Sequence, residues 1–193
     1  MPKELPARKH SRLNGYDYSS NGAYFITFCV ENGHEMLGEI VGRGILDAPH
    51  IVELSEYGIN LRNTIDFINK NFENIMIDKY VIMPNHVHMI VLIDKDGGLE
   101  RGDSGASEKP RPTEALIPKL RSSMKRYTNK LAGFNMWQDS YHDHIIRDDA
   151  DYQHIWQYID KNPAKWAEDR YYNIGSDNQD SKQAPLPTKR THR

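Results

Sequence analysis

Four segments of the chain have the hydrophobic pattern of β-strands. Each is short, rich in β-branched, aliphatic or aromatic residues and bounded by turn residues, which is typical of buried strands. The segments are Ala23–Val30, Met36–Val41, Ile75–Met83 and His86–Ile93. Asn32-Gly33 is a turn dipeptide and predicts that the first two strands form a hairpin. Pro84-Asn85 separates the third strand from the fourth.

Three other segments have helical patterns. Hydrophobic residues recur at mainly helical spacing over 50–69. A second helix is predicted from about Glu114, with Leu116, Leu120, Met124, Tyr127 and Leu131 on one face. A third begins at Asp148 or Asp149, either of which could cap it, and continues to Pro163. Met136–Ile146 is ambiguous, with an extended conformation as one reading. The order predicts an α+β fold with an antiparallel sheet and helices packed mainly on one face.

Polar stretches flank and interrupt a hydrophobic core of about 130 residues, which is enough for one domain. We expect 1–15 to be a flexible basic arm, 94–112 a mobile loop and 173–193 a disordered tail. The predicted domain is 16–172.

Composition excludes several protein classes. No apolar run approaches the length of a membrane helix. The first residues lack the apolar middle of a signal peptide. One cysteine, Cys29, excludes an intramolecular disulfide framework and a cysteine-based zinc site. We therefore expect a cytoplasmic protein.

The net charge of −2 hides a segregation of charge along the chain. Residues 115–132 carry five basic and no acidic side chains, and the N-terminal arm is also basic. Local positive charge is what binds phosphate, so both segments are candidate DNA contacts. Ordinary solvated surface is the alternative interpretation. The candidate side chains are Lys119, Arg121, Lys125, Arg126, Lys130, Arg8, Lys9 and Arg12.

Two His-x-His pairs could bind a metal: His86 with His88, and His142 with His144. The first pair opens an apolar strand, where a period of two places both imidazoles on one face and Val87 in the core. Two neutral imidazoles side by side are half of a divalent metal site. The alternative is a pair of half-exposed histidines at a strand end.

The helix 149–162 has two distinct faces. Tyr152, Ile155, Trp156 and Ile159 form the stripe that packs on a core. A second, polar face carries Asp151, His154, Tyr158 and Asn162. The Tyr158 phenol is therefore free of the packing stripe, with Asn162 one turn away as an oxygen ligand. An amphipathic surface tyrosine and a helix terminator before Pro163 are the alternatives.

PNHVH after a strand, followed by a helix with DYxxxxxYIxxNP, is similar to the single-tyrosine HUH transposases of insertion sequences. The chain most resembles their REP-associated tyrosine transposase branch. The matching stretches cover the core over about 15–172, and they are Asn14–Val30, Tyr80–Ile93, Met136–Arg147 and Asp151–Trp166.

The resemblance implies a ferredoxin-like sheet in which His86 and His88 bind Mg²⁺ or Mn²⁺. Asn162 would be the third metal ligand, and Tyr158 the nucleophile that forms a 5′-phosphotyrosine with single-stranded DNA, at hairpin (REP-like) sequences. A homodimer, and association with the nucleoid during activity, also fit this family. His144 lies in a family-like stretch without an assigned role. From the residues alone, His154 is a candidate group for proton transfer, with a surface histidine as the alternative. Tyr127, Trp137 and Tyr141 could stack bases, and Tyr127 and Trp137 could equally be core residues.

Other functions stay open at this point. A replication-initiator-type nickase uses similar residues, and a domesticated DNA-binding protein could keep the fold without strand transfer. A phosphoesterase with two His-x-Thr/Ser motifs is excluded because positions 88 and 144 are histidine. A metallohydrolase using all four paired histidines requires Met136–Ile146 to meet the strand His86–Ile93.

Overall fold

A computed structural model describes residues 20–42, 51–94 and 116–172 of the chain. Its six strands are β1 Gly22–Cys29, β2 Gly38–Val41, β3 Ile51–Leu54, β4 Ile75–Ile82, β5 His86–Ile93 and β6 His142–Ile146. Its three α-helices are α1 Glu56–Asn71, α2 Leu116–Ala132 and α3 Asp149–Lys161. Short 3-10 segments cover Glu31–Gly33 and Pro163–Glu168.

Four strands form one antiparallel sheet in the order β4-β5-β1-β6. The ambiguous segment 136–146 contributes its edge strand, β6, which pairs with β1. Strands β2 and β3 form a separate two-stranded ribbon. The predicted α+β class and antiparallel sheet are confirmed.

The two faces of the four-stranded sheet are covered by different helices. On one face, Val87, Met89 and Val91 of β5 pack in the main core with buried residues of α1 and α2. On the other face, Ile90 packs against Ile155 and Ile159 of α3. Two helices therefore lie on one face and α3 on the other, so β5 sends alternate side chains to each layer.

Two details of the predicted elements are wrong: the pairing of the second strand and the start of the first helix. The predicted strand Met36–Val41 does not form a hairpin with β1, because β1 already pairs with β5 on one side and β6 on the other. The returning strand pairs with β3 instead. The predicted helix over 50–69 begins only at Glu56, after Ser55, whose hydroxyl accepts a hydrogen bond from the Gly58 amide.

Several predictions lie outside the described residues. They include the arm 1–15 with Arg8, Lys9 and Arg12, most of the loop 94–112, and the tail 173–193. Within the described ranges, none of the helices combines the length and the hydrophobicity needed to cross a bilayer.

Candidate metal centre and nucleophile

His86 and His88 begin β5 on the face that α3 covers. Both side chains are buried, with exposed fractions of 0% and 1%. Their Nε2 atoms lie 3.0 Å apart, so the two imidazoles converge on one point. The sequence prediction that both rings share one face, with Val87 in the core, agrees with this arrangement.

The other ring nitrogen of each histidine contacts a buried polar side chain. The Nδ1 atom of His86 lies 2.8 Å from Asn85 Oδ1, and the Nδ1 atom of His88 lies 2.7 Å from Thr27 Oγ1. Thr27 faces His88 because the two residues are directly paired between β1 and β5. Such outer contacts fix the orientation of an imidazole that offers its second nitrogen to a metal. Sequence analysis assigned no role in the site to Asn85 or Thr27, although Asn85 lies inside the PNHVH motif.

Helix α3 presents Tyr158 to this pair. Asp148 caps the helix by accepting a hydrogen bond from the Asp151 amide, and Ile155 and Ile159 bury the opposite stripe, as predicted. The Tyr158 hydroxyl lies 3.2 Å from His88 Nε2. The side chain is 40% exposed, so an incoming substrate can reach it.

Two further polar side chains, Asn162 and Asp169, lie where α3 ends. Asn162 is 2% exposed, and its Oδ1 has no hydrogen-bond partner among the described residues. A 3-10 turn that starts at Pro163 then returns the chain, so that Asp169 accepts a hydrogen bond of 3.1 Å from Asn162 Nδ2. One potential ligand atom from each of His86, His88 and Asp169 lies within 4.8 Å of the others. Sequence analysis missed Asp169, because only the turn after Pro163 brings it to the site.

Burial keeps both histidines neutral. It lowers the pKa of His86 from 6.5 to about 4, against the opposing negative charge of Asp169. Burial also lowers the pKa of His88 well below its ordinary value, and the neighbouring His86 and Arg170 act in the same direction. Neutral imidazoles are the form that ligates a metal.

The pKa of Tyr158 is raised. Burial is the main cause, and the negative charge of Asp169 adds to it. The positive charge of Arg170 and a hydrogen bond with Asn162 oppose the increase. A phenol in this state needs a base or further positive charge before it can act as a nucleophile at neutral pH.

A pocket of about 430 Å³ opens beside Tyr158 and Asn162. Its lining includes three cations that sequence analysis did not single out, together with the acids Glu168 and Asp169. The cations are Lys161, Lys165 and Arg170. Arg170 also lies over the Tyr171 ring, with its guanidinium carbon 4.6 Å from the ring centroid. His154, the proposed proton-transfer group, lines the same pocket.

The predicted basic helix lies elsewhere. Helix α2 packs with α1 on the face of the sheet opposite to His86 and His88. Two of its cations are already engaged, because Arg121 donates to the Gln138 carbonyl and Lys125 lies 3.4 Å from Asp139. The structure therefore does not bring Lys119, Arg121, Lys125, Arg126 and Lys130 to the pocket.

The aromatic candidates for base stacking are mostly part of the core. Trp137 and Tyr141 are buried, and the Trp137 indole donates to Thr128 Oγ1 over 2.6 Å. Tyr127 is half-buried against Phe67, with ring centroids 5.2 Å apart. Base stacking by Trp137 and Tyr141 is thus wrong, and the core interpretation of Trp137 is confirmed.

The second histidine pair does not join the first. His144 Nε2 lies 2.8 Å from Asp151 Oδ2, and the hydrogen bond from His144 is the main cause that lowers the pKa of Asp151. Strand β6 pairs with β1 and not with β5. The four-histidine arrangement that the metallohydrolase alternative requires is therefore not formed.

The chain is similar in sequence to one curated protein and is matched by solved structures. No family model matches the chain. An uncharacterized protein of Haemophilus influenzae is 29% identical over 177 residues, which cover 86% of this chain and 93% of that protein. Among solved structures, a putative transposase from Deinococcus radiodurans is 16% identical, with a TM-score of 0.41, over 78% of this chain and 97% of that one.

A second solved structure is a REP-associated tyrosine transposase bound to a REP hairpin. It is 24% identical, with a TM-score of 0.53, over 81% of this chain and 74% of that one. The described part of the chain therefore shares the fold of a REP-associated tyrosine transposase, which confirms the architecture that the sequence resemblance implies.

Proposed function

We propose that the chain is a metal-dependent single-stranded DNA endonuclease and strand transferase in which Tyr158 is the nucleophile. One observation carries the proposal: the Tyr158 hydroxyl lies 3.2 Å from His88 Nε2, and that atom lies 3.0 Å from His86 Nε2. A solvent-accessible phenol thus meets two buried, neutral imidazoles at the edge of a pocket.

The donor set fits a divalent cation. His86 and His88 would supply imidazole nitrogens, Asp169 a carboxylate oxygen, and Asn162 the buried Oδ1 that lacks a hydrogen-bond partner among the described residues. A mixed nitrogen and oxygen set suits Mn²⁺ somewhat better than Mg²⁺. When bound, such a cation would polarise a non-bridging oxygen of the scissile phosphate.

The chemistry of the chain's own residues is a transesterification. The Tyr158 oxygen forms a bond to phosphorus while the bond from phosphorus to the 3′ oxygen breaks. The negative charge of Asp169 acts on the Tyr158 phenol, so Asp169 is one candidate to take up its proton, and His154, which lines the same pocket, is the other. The departing 3′ oxygen takes up a proton and leaves as a hydroxyl. The phosphodiester energy is retained, so a 3′-hydroxyl can later reverse the step and rejoin DNA.

Single-stranded DNA with a hairpin is the proposed substrate. The cations Lys161, Lys165 and Arg170 line the pocket and can accept a phosphodiester backbone. The structure with the same fold holds a REP hairpin, which supports this class of substrate. Contacts from the basic helix α2 would involve DNA that passes beyond the pocket, on the opposite face of the sheet.

One chain can supply both the proposed nucleophile and the histidine pair of a single active site. In the described residues, Tyr158 contacts the histidine pair of its own chain, which favours action in cis even in a homodimer. Mixing Tyr158→Phe with His86→Ala protein tests this point, because an adduct restored by mixing would require exchange between subunits.

The test of function is covalent capture. A 3′-labelled hairpin strand with Mn²⁺ should give a protein–DNA adduct that withstands denaturing electrophoresis and that EDTA abolishes. Tyr158→Phe should give none. Tyr152→Phe is the matched control, because Tyr152 is on the same helix but donates its hydroxyl to Asp78.

Two results would overturn the proposal. An adduct that persists in Tyr158→Phe removes the nucleophile. Binding of the hairpin without an adduct in the wild type, with either Mn²⁺ or Mg²⁺, supports a DNA-binding protein that lacks strand transfer.

A further inference from the structure

The Nδ1 atoms of the two histidines contact different chemical groups. His86 contacts the amide of Asn85, and His88 contacts the hydroxyl of Thr27. We propose that Asn85 and Thr27 are positioning residues: Asn85 fixes the tautomer of His86, while Thr27 lets His88 move its proton between its two ring nitrogens when a cation binds. The inference rests on the proposed function, because it assigns both residues to preparing the metal site.

The orientation of the Asn85 amide follows from its neighbours. Its nitrogen lies 3.1 Å from the Gly33 carbonyl oxygen and 2.9 Å from the Tyr171 carbonyl oxygen. Two carbonyl acceptors require the amino group on that side, since the reversed amide would place three oxygen atoms together. Both amide hydrogens are thereby used, and Oδ1 must face His86.

The tautomer of His86 follows in turn. Asn85 Oδ1 can only accept, so the His86 Nδ1 atom at 2.8 Å must carry the proton. A neutral imidazole has one N–H, and this ring is fully buried, with an exposed fraction of 0%. The Nε2 atom of His86 therefore presents a lone pair, which is the form a metal ligand needs.

His88 must then hold the opposite tautomer while no cation is bound. Its Nε2 lies 3.0 Å from the lone pair on His86 Nε2, and two facing lone pairs at that distance would repel. A proton on His88 Nε2 turns the contact into a hydrogen bond, and the Tyr158 oxygen, 3.2 Å from the same nitrogen, can then only accept from it as a second acceptor. The Nδ1 atom of His88 then accepts from the Thr27 hydroxyl at 2.7 Å.

A hydroxyl is the group that permits the reverse arrangement. Thr27 Oγ1 can donate or accept, so it also suits a His88 whose proton has moved to Nδ1 and whose Nε2 is free for a cation. Thr27 is fully buried between β5 and β6, paired with His88 on one side and His142 on the other, so water does not replace it. Asn85 cannot adapt in this way, because its two amide hydrogens are fixed.

Nuclear magnetic resonance of ¹⁵N-histidine-labelled protein tests the tautomers directly. In metal-free protein with EDTA, His86 should carry its proton on Nδ1 and His88 on Nε2. With saturating Mg²⁺, which is diamagnetic, both rings should carry it on Nδ1. The proton on His86 Nε2, or on His88 Nδ1, in the metal-free protein would overturn the inference.

Mn²⁺ titration calorimetry tests the role of Thr27. Outer-shell changes typically cost about 10–100-fold in metal affinity, so Thr27→Val should weaken Mn²⁺ binding by about 10-fold or more. Thr27→Ser keeps the hydroxyl and should restore the affinity to within about threefold. Thr27→Val with wild-type affinity would contradict the proposal. A similar loss in Thr27→Ser would also contradict it, because that result indicates a packing effect alone.

These outcomes are distinct from failure of the proposed function. If the wild type forms no adduct, the strand-transfer function falls, whatever the titration gives. If it forms an adduct and Thr27→Val still binds Mn²⁺ normally, only the positioning role falls.

Discussion

The two His-x-His strands have the same spacing and share one face of the sheet but differ in their surroundings. His86 and His88 begin the inner strand β5 and are buried. His142 and His144 begin the edge strand β6 and are exposed. The inner pair converges through its Nε2 atoms, whereas His144 Nε2 contacts Asp151.

The comparison indicates that a period of two supplies only the first condition for the proposed metal site. A second condition is an inner position, where burial keeps the rings neutral. A third condition is a polar side chain that contacts Nδ1, so that Nε2 remains available to a metal. Asn85 and Thr27 meet this condition for His86 and His88. On β6, the carboxylate of Asp151 contacts the nitrogen that would have bound a metal.

Removing an imidazole from each pair should give the largest contrast. His86→Ala or His88→Ala removes a proposed ligand, and we expect adduct formation with the labelled hairpin to fall by about 100-fold or more. His144→Ala removes only a surface partner of Asp151 and should change the rate by less than about threefold. The measurement is the initial rate of adduct formation in Mn²⁺.

A partial recovery of His86→Ala at high Mn²⁺ would support a ligand role rather than a folding defect. Equal losses in His86→Ala and His144→Ala would remove the distinction between the two pairs. Circular dichroism of each variant provides the control for folding.

The parts of the site that follow a regular period could be predicted from sequence. Alternation placed His86 and His88 on one face with Val87 in the core, and helical spacing separated Tyr158 from the stripe of Ile155 and Ile159. These inferences depend only on local geometry, which a strand or a helix imposes on its own residues.

The parts that depend on packing between distant segments could not be predicted. Asp169 reaches the site only because a 3-10 turn reverses the chain after Pro163. The expected hairpin failed because both edges of β1 were already paired. Helix α2 has the charge expected of a DNA-binding surface, but its apolar stripe determines its position on the opposite face of the sheet. None of these arrangements leaves a periodic signal in the sequence.

Acid should destabilise the metal-free protein through the inner pair. The pKa of His86 is about 4 in the folded state and 6.5 ordinarily, so below 6.5 the unfolded chain binds a proton that the folded chain does not. The contribution of His86 to the free energy of unfolding is fully present above pH 6.5 and is lost as the pH falls toward 4. For His86 alone, the free energy of unfolding should fall by about 2 kcal/mol between pH 7.5 and pH 5. His88 adds in the same direction.

Denaturant unfolding in EDTA at the two pH values measures this loss. His86→Gln should reduce the difference, and His144→Gln should retain it. An unchanged pH dependence in His86→Gln would show that the burial of this imidazole does not govern acid stability.

The contact between His144 of the edge strand and Asp151 should contribute least to the stability of the fold. The hydrogen bond between His144 and Asp151 lies at the surface, with side-chain exposures of 51% and 27%, and such surface pairs contribute about 0–1 kcal/mol. Asp151→Asn should therefore lower the free energy of unfolding by less than about 1 kcal/mol at pH 7. Because the pKa of Asp151 is lowered in the folded state, this contribution is present above the ordinary pKa of 3.8 and is lost as the pH falls through the folded pKa.

Asp149→Asn is the control, because Asp149 lies in the same first turn of α3 and its removal reports the helix-dipole effect without the His144 contact. If Asp151→Asn costs clearly more than Asp149→Asn and also abolishes adduct formation, the edge strand takes part in the site and the contrast between the two histidine pairs no longer holds.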